Sequence, residues 1–136
     1  MNLYNESIFH KLFEQSLVGY WEWDILSGDL YISPNFKILL GYDISEIKNN
    51  IESFKKIIFE EDFINIQEKY KQHIESKGKS PFYDEIRIIH KDKSIVWAIY
   101  TGEIVKTDER GNPAKMAGFF IDITKQKKNR KRTKRI

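Results

Sequence analysis

The stretch IRIIHKDKSIVWAIYTGEIVKTDERGNPAKMAGFFIDITKQKK, residues 86–128, decides the fold. It belongs to three β-rich runs, Phe82–His90, Ile95–Thr107 and Pro113–Ile123, which are separated by KDKS and DERGNP. Both separators are rich in turn-forming residues, so the runs are predicted to form an antiparallel meander. The last two runs are apolar at both alternating positions. Both faces of this part of the sheet therefore need cover.

Upstream of the meander, the sequence alternates between helix and strand signals. Apolar residues at helical spacing predict a helix over Asn5–Leu17. Alternation around WEW, followed by a Ser-Gly-Asp turn, predicts a β-hairpin over 19–33. A short helix is predicted at Pro34–Gly41, short helical turns at 42–59, and a longer helix from Glu60 to Gly78. This order indicates an α+β layout with a five-stranded sheet.

Composition and charge exclude several classes of protein. The 136 residues include no cysteine, which removes disulfides, thiolate nucleophiles and cysteine-held metals. No apolar run approaches the ~18 residues of a membrane span, so a soluble, cytoplasmic protein is expected. Eight of the 23 Lys and Arg residues, and none of the 20 Asp and Glu residues, lie in 125–136. The body of the chain is therefore net acidic, and only its tail is basic.

Together with GYWEWDILSGDLYISPNFKILLGY at residues 19–42, these runs resemble a PAS domain with its PAC segment. The resemblance covers about residues 7–128. It depends on an ordered set of features: Trp23, the Pro34–Gly41 helix, the Lys91-Asp92 hairpin, Trp97, Asp108 with Gly111, Gly118 and Asp122-Ile123-Thr124. The turn that reads KDGS in many relatives has Lys93 here, so Lys93 is expected at positive φ.

The resemblance implies a PAS fold of the α+β class, in which short helices pack on one face of a five-stranded antiparallel sheet. It divides the chain into an N-terminal flanking helix (1–18), a PAS/PAC sensory domain (19–124) and the basic start of a signalling helix or linker (125–136).

The same resemblance implies a function in signal transduction. The chain is expected to be a non-enzymatic cytoplasmic module that forms a homodimer, possesses a small-ligand pocket and regulates an attached effector beyond this sequence. A histidine kinase of a two-component system is the first choice, and a diguanylate cyclase is the alternative. A stand-alone, basic-tailed nucleic-acid-associated protein is the least favoured reading, since it depends on phosphate contacts from the tail alone.

Two sets of residues are candidates for function. Asp122 and Thr124 can cap the first N–H groups of the helix that follows them, and so relay movement of the sheet. A ligand pocket would be lined by Trp23, Phe36, Leu40, Phe54, Ile58, Phe63, Ile66, Tyr70, Ile86, Trp97 and Phe119. The aromatic residues of the chain, which also include Trp21, also suit a packed core, and for them the core is the favoured interpretation. Trp97 in particular is expected in the core of the sheet.

No catalytic or metal site is expected. Glu60, Glu61 and Asp62 suit the first turn of a helix, and the three histidines His10, His73 and His90 are too far apart to suggest a metal trio.

Among cofactors, haem and non-covalent flavin remain open, although the chain is expected to carry neither. His73 borders the apolar face of the long helix, but it lies nearer the C-terminal end than the haem ligand of relatives. The covalent flavin adduct of light-sensing relatives needs a cysteine, which this sequence lacks.

Overall fold

The structure, a computed structural model, describes residues 18–134, with side chains as far as residue 130. The predicted N-terminal helix, Asn5–Leu17, lies outside the described residues. The residue after it, Val18, is the first residue of strand β1 rather than the last residue of a flanking helix.

The described residues form one five-stranded antiparallel sheet with four helices and a 3-10 turn at Ile44–Glu46. The strands are β1 (Val18–Asp24), β2 (Leu30–Ile32), β3 (Phe82–Ile89), β4 (Ile95–Thr107) and β5 (Pro113–Asp122). The helices are α1 (Pro34–Leu39), α2 (Ile51–Lys55), α3 (Glu60–Glu75) and α4 (Thr124–Lys134). This arrangement confirms the predicted α+β class and the five-stranded antiparallel sheet. Within residues 18–134, no helix has both the length and the apolar character to cross a membrane.

The sheet order β2–β1–β5–β4–β3 brings the first and last strands of the fold together. In the register, Trp21 of β1 lies opposite Gly118 of β5, and Gly118 lies opposite Gly102 of β4. A Cβ atom on Gly102 would overlap the Trp21 indole, and one on Gly118 would overlap the carbonyl oxygen of Thr101. Glycine is therefore required at both positions, because the strands and the indole approach so closely there.

The core lies between the helices and one face of the sheet, here called the inner face. In α1, Phe36 stacks on Phe120 of β5 with the ring centroids 4.6 Å apart, and Phe54 of α2 packs against Phe120 at 5.3 Å. All three side chains are almost fully buried. Short helices can cover the sheet because each supplies one large aromatic ring to the same cluster.

Lysine 37 is buried in this layer, although the sequence pattern gives no indication of it. The Lys37 ammonium donates to the carbonyl oxygen of Ile47 at 2.6 Å and to Oδ1 of Asn49 at 3.0 Å. Burial lowers the pKa of Lys37. These two bonds hold the segment after the 3-10 turn against α1.

The turn between β3 and β4 follows the sequence-based expectation. Lys93 has φ of 77°, and Asp92 Oδ1 accepts hydrogen bonds from both the backbone N–H and the hydroxyl of Ser94. The predicted positive φ at Lys93 is therefore confirmed. The side chain of Asp92 thus stabilises a turn in which a lysine, rather than a glycine, occupies the position with positive φ.

Trp97 was expected in the core of the sheet, and this expectation is wrong. Val96, Ala98 and Tyr100 of β4 point inward and are buried, so Trp97 and Ile99 lie on the opposite face, here called the outer face, where both are half-buried. Strand geometry places alternate residues on opposite faces. Because both sets of β4 residues are apolar, the sequence pattern alone could not select the inner one.

The adjacent phenylalanines of β5 provide a test of this assignment of faces. Phe120→Ala should cost about 3–5 kcal/mol of unfolding free energy, as expected for loss of a buried large aromatic side chain. Phe119→Ala should cost clearly less, because Phe119 is on the outer face and 38% exposed, whereas Phe120 is fully buried. Urea denaturation of both variants measures the difference. Equal losses would contradict the assignment.

Candidate functional site

An apolar cavity of about 260 Å³ lies between α3 and the inner face of the sheet. Helix α3 contributes Phe63, Ile66 and Tyr70 to its wall, which are spaced so that they share one side of the helix. Strand β1 contributes Trp21 and Trp23. The remaining wall comes from other strands, α2 and α3: Leu30, Ile51, Gln67, Phe82, Tyr100 and Met116.

Few polar groups face this cavity. Trp23 Nε1 donates a long hydrogen bond of 3.4 Å to the Tyr70 hydroxyl oxygen. Burial raises the pKa of Tyr100, so its hydroxyl stays protonated. Gln67 is the exposed member of the wall. The chemical character of the cavity is therefore that of an aromatic box with a small number of hydroxyl groups.

The structure brings four of the eleven sequence-predicted lining residues to this cavity: Trp23, Phe63, Ile66 and Tyr70. Five more belong to the buried core but do not line it: Phe36, Leu40, Phe54, Ile58 and Ile86. Trp97 and Phe119 lie on the outer face, so the sheet separates them from the cavity. The expectation that these two residues line the pocket is wrong, because alternate residues of a strand point to opposite faces of the sheet.

Seven lining residues are absent from the predicted lining set, and one of them, Trp21, was named only among the aromatic residues of the chain. Leu30 could have been found from the register of the β1–β2 hairpin, in which it lies opposite Trp23. Met116 also lies opposite Trp23, but in the pairing of β1 with β5, which no local pattern specifies. Tyr100 and Phe82 could not have been found in this way. Their strands carry apolar residues on both faces, so the sequence does not show which face is the inner one. Ile51 and Gln67 depend on how the helices pack on the sheet, which the local pattern does not specify.

The wall of this cavity fits neither haem nor flavin. His73 does not line this cavity: its ring packs against Phe82 outside the wall, with Nδ1 2.5 Å from the Ser80 carbonyl oxygen and Nε2 buried without a described partner. Flavin has three fused rings with several polar edge atoms, whereas this small wall offers two tyrosine hydroxyls and one amide. Among residues 18–134, no cluster of three or more His, Cys, Asp or Glu side chains could hold a metal ion.

A charged contact joins α3 to β3 beside the cavity. Asp62, in the first turn of α3, accepts hydrogen bonds from Arg87 of β3: from the backbone N–H at 2.7 Å, from Nε at 3.0 Å and from Nη2 at 2.8 Å. The guanidinium lies 4.4 Å from the ring centroid of Phe59 and 5.7 Å from that of Trp97. Arg87 therefore contacts both the helix that lines the cavity and the outer-face tryptophan.

Trp97 in turn holds the start of α4. The backbone N–H of Trp97 donates to Thr124 Oγ1 at 3.0 Å, and its carbonyl oxygen accepts from the N–H of Ile123 at 2.8 Å. Lys127 of α4 lies over the indole at 4.4 Å and is 3.4 Å from a carboxylate oxygen of Glu85. We call the connected residues Asp62, Arg87, Trp97, Thr124 and Lys127 the α3–α4 bridge.

The predicted capping residues occupy different positions in this arrangement. Asp122 Oδ1 accepts from the backbone N–H of Thr124, the first residue of α4, at 2.9 Å and from the Thr124 hydroxyl at 2.6 Å. Asp122 therefore satisfies one of the first N–H groups of the helix, whereas Thr124 fastens the helix to β4. Their role in signal relay stays a prediction.

Comparison with known proteins gives one family match. The family model described as the PAS fold matches residues 29–120, more than half of the chain. No curated protein is significantly similar in sequence.

Solved structures share the fold at low sequence identity. One is a sensory box histidine kinase/response regulator from Burkholderia thailandensis E264, with TM-score 0.73, 24% identity, and coverage of 93% of this chain and 92% of that one. Another is the N-terminal domain of a diguanylate cyclase with PAS/PAC sensor from Marinobacter aquaeolei, with TM-score 0.68, 21% identity, and coverage of 80% and 97%. A third is a domain of a putative light and redox sensing histidine kinase from Haloarcula marismortui, with TM-score 0.66, 20% identity, and coverage of 87% and 99%.

The Asp62–Arg87 contact predicts a pH-dependent contribution to stability. Burial alone would raise the pKa of Asp62, but the hydrogen bonds and charge of Arg87 outweigh it and hold that pKa below its ordinary value. The contribution is therefore complete above the unfolded-state pKa of about 3.9 and is lost as pH falls through the lower folded-state value. Asp62→Asn should cost on the order of 1–3 kcal/mol at neutral pH, and less below about pH 3.5.

Urea denaturation of both proteins across this pH range measures the effect. Glu61→Gln is the matched control, because the Glu61 side chain is 87% exposed and makes just one long contact with Arg87, 3.5 Å from Nη2. It should change stability little at any pH. A cost for Asp62→Asn that is the same at low and neutral pH would contradict the electrostatic explanation.

Proposed function

This chain belongs to the PAS fold family, and on that premise we propose that it is a sensory module whose cavity controls the position of α4. In this proposal an occupant of the cavity displaces α3, the α3–α4 bridge transmits the displacement, and α4 passes it to an attached effector. The chain itself is regulatory and performs no catalysis.

The observation that carries this proposal is the position of α3 in both the cavity and the bridge. Asp62 binds Arg87, and the next residue, Phe63, lines the cavity. Arg87 and Trp97 are direct partners in the β3–β4 register, so the bridge crosses one strand pair before it reaches α4. A shift of α3 cannot occur without altering the Asp62–Arg87 contact or moving Arg87. This contiguity gives the two sites a physical means of coupling.

We propose a histidine kinase as the attached effector. Two of the three structural relatives described above carry that name, and the third is a diguanylate cyclase, which is the alternative. The coding sequence after Ile136 distinguishes them. A helix with a phosphoacceptor histidine would support the kinase, and a GGDEF signature would support the cyclase.

We also propose that two copies of the chain associate through the outer face of the sheet. Tyr31, Tyr83 and Ile95 point outward and are each more than 40% exposed. Most soluble oligomers consist of copies of one chain, usually related by two-fold symmetry. A second copy is therefore the expected partner for such a surface. The apolar residues of the predicted N-terminal helix, Ile8, Phe9, Leu12 and Phe13, are expected to take part.

The coupling between cavity and α4 can be tested without knowledge of the ligand. Ile66→Phe adds volume at the cavity wall and mimics occupation, so it should change the hydrogen-exchange rates of the Trp97 amide and the first turn of α4. In an Arg87→Met background the same substitution should have a much smaller effect on those rates, because the guanidinium contacts of the bridge are lost and only the backbone N–H of residue 87 still reaches Asp62. Hydrogen–deuterium exchange with mass spectrometry gives both measurements.

Two further variants control this experiment. Ile64→Phe places the same side chain on the exposed side of α3, where Ile64 is 55% exposed, and should leave α4 unchanged. Arg87→Lys keeps the positive charge but cannot make the two-pronged contact with Asp62. It should therefore reduce the coupling less than Arg87→Met does. The proposal fails if Ile66→Phe leaves α4 unaltered, or if its effect is unchanged in both Arg87 variants.

Self-association is tested by sedimentation. At high micromolar concentration the chain should sediment as a homodimer, and Tyr83→Lys or Ile95→Lys should shift it toward monomer. Ile38→Lys is the matched control, since Ile38 of α1 is 60% exposed but lies in the helical layer. A monomer at all concentrations, or equal weakening by all three substitutions, would contradict association through the outer face.

A further inference from the structure

The volume of the cavity limits the size of its occupant. A cavity of about 150 Å³ holds benzene in a well-studied protein, and this one measures about 260 Å³. Its deep wall is formed by rings in mutual contact: Trp21 stacks on Tyr100 with centroids 4.9 Å apart, and Phe82 meets Tyr100 edge-on at 5.1 Å. Such a wall suits a flat molecule of one or two rings.

The wall also selects against charge. None of the described side chains that line the cavity is a carboxylate, an ammonium, a guanidinium or an imidazole. The nearby charged pair, Asp62 and Arg87, is already satisfied within itself. An ionic occupant would lose its hydration without gaining a counter-charge, which is strongly unfavourable. The occupant must therefore be neutral.

Two hydroxyl groups in this wall, those of Tyr100 and Tyr70, can donate a hydrogen bond to an occupant. Tyr100 lines the cavity, and its side chain is only 7% exposed to solvent. The Tyr70 hydroxyl oxygen accepts from Trp23 Nε1, which leaves its own proton without a described acceptor. A phenol hydroxyl both donates and accepts a hydrogen bond, and it loses its hydration when an occupant fills the cavity. Both hydroxyls therefore favour an occupant that brings an acceptor.

We propose that the cavity binds a neutral, flat molecule of one or two rings that carries a hydrogen-bond acceptor, such as a carbonyl oxygen, toward Tyr100. This inference rests on the proposed sensory function and specifies the chemical class of its input. The apolar rings of the occupant contact Trp21, Phe82 and Ile66, and its acceptor receives the Tyr100 proton. Tyr70 supplies a second donor.

A matched pair of probes tests the acceptor directly. 1-Indanone and indane share one two-ring skeleton and differ in the carbonyl group, and indane-1-carboxylate adds a negative charge. Isothermal titration of the full chain should show 1-indanone binding on the order of threefold to tenfold more tightly than indane, the range expected for one hydrogen bond. The carboxylate should bind more weakly than either neutral probe. Ile66→Phe should weaken binding of 1-indanone and indane, which places them in this cavity.

Removal of one hydroxyl then identifies the donor. Tyr100→Phe should remove most of the preference for 1-indanone over indane while leaving indane binding unchanged. Tyr70→Phe should reduce the preference only in part. The inference is overturned if the unaltered chain does not discriminate between the neutral probes, if Tyr100→Phe keeps the full preference, or if the carboxylate binds most tightly.

These outcomes separate the ligand class from the sensory role. If neither neutral probe binds, the proposed ligand class is wrong, whereas the coupling between Ile66 and α4 is measured without any ligand and stands by its own result. If the probes bind as expected but Ile66→Phe does not affect α4, the cavity is a binding site and the relay proposal fails.

Discussion

The Trp21 indole occupies the space that Gly102 of β4 leaves free, and Gly118 of the intervening strand β5 leaves room for the β4 backbone. The position of the other elements follows from this close approach. Trp21 Nε1 donates to the Thr101 carbonyl oxygen at 3.1 Å, so a hydrogen bond as well as packing fixes β1 to the meander. Thr101 is 80 residues away along the chain. The contact therefore closes the domain. It also places the stacked Trp21 and Tyr100 rings as the rigid deep wall of the cavity.

Helix α3 is the other wall, and its sequence serves two purposes at once. Its apolar side covers the cavity through Phe63, Ile66 and Tyr70, whereas its first turn presents Asp62 to Arg87. A carboxylate there also suits the positive end of the helix dipole. The helix is thus held at one end by a charged contact and along its length by apolar contacts around a cavity. An element held in this way can shift when the cavity is filled, which is the physical basis of the proposed relay.

The contacts of the outer face account for the apolar residues on both sides of this sheet. One part of that face is covered from within the chain, where Lys127 of α4 lies over Trp97 and pairs with Glu85. Another part, around Tyr31 and Tyr83, keeps large exposed rings, which the proposed second copy would cover. Trp97 thus joins the sheet to α4 rather than filling the core. The sequence-based expectation for this residue was wrong in location, although a large apolar residue is needed there.

The sequence by itself determined the order of the elements, the meander, the positive φ of Lys93 and the basic character of α4, because these depend on local periodicity, turn chemistry and composition. It also determined that Asp62 lies in the first turn of a helix. Only the tertiary structure decided that Tyr100 faces the cavity and Trp97 faces α4, since β4 is apolar at both alternating positions and the helices select the inner face. The Asp62–Arg87 contact spans 25 residues, and the burial of Lys37 depends on carbonyl and amide oxygens from another segment. Such contacts form only where packing brings distant polar groups together, so no local pattern could have predicted them.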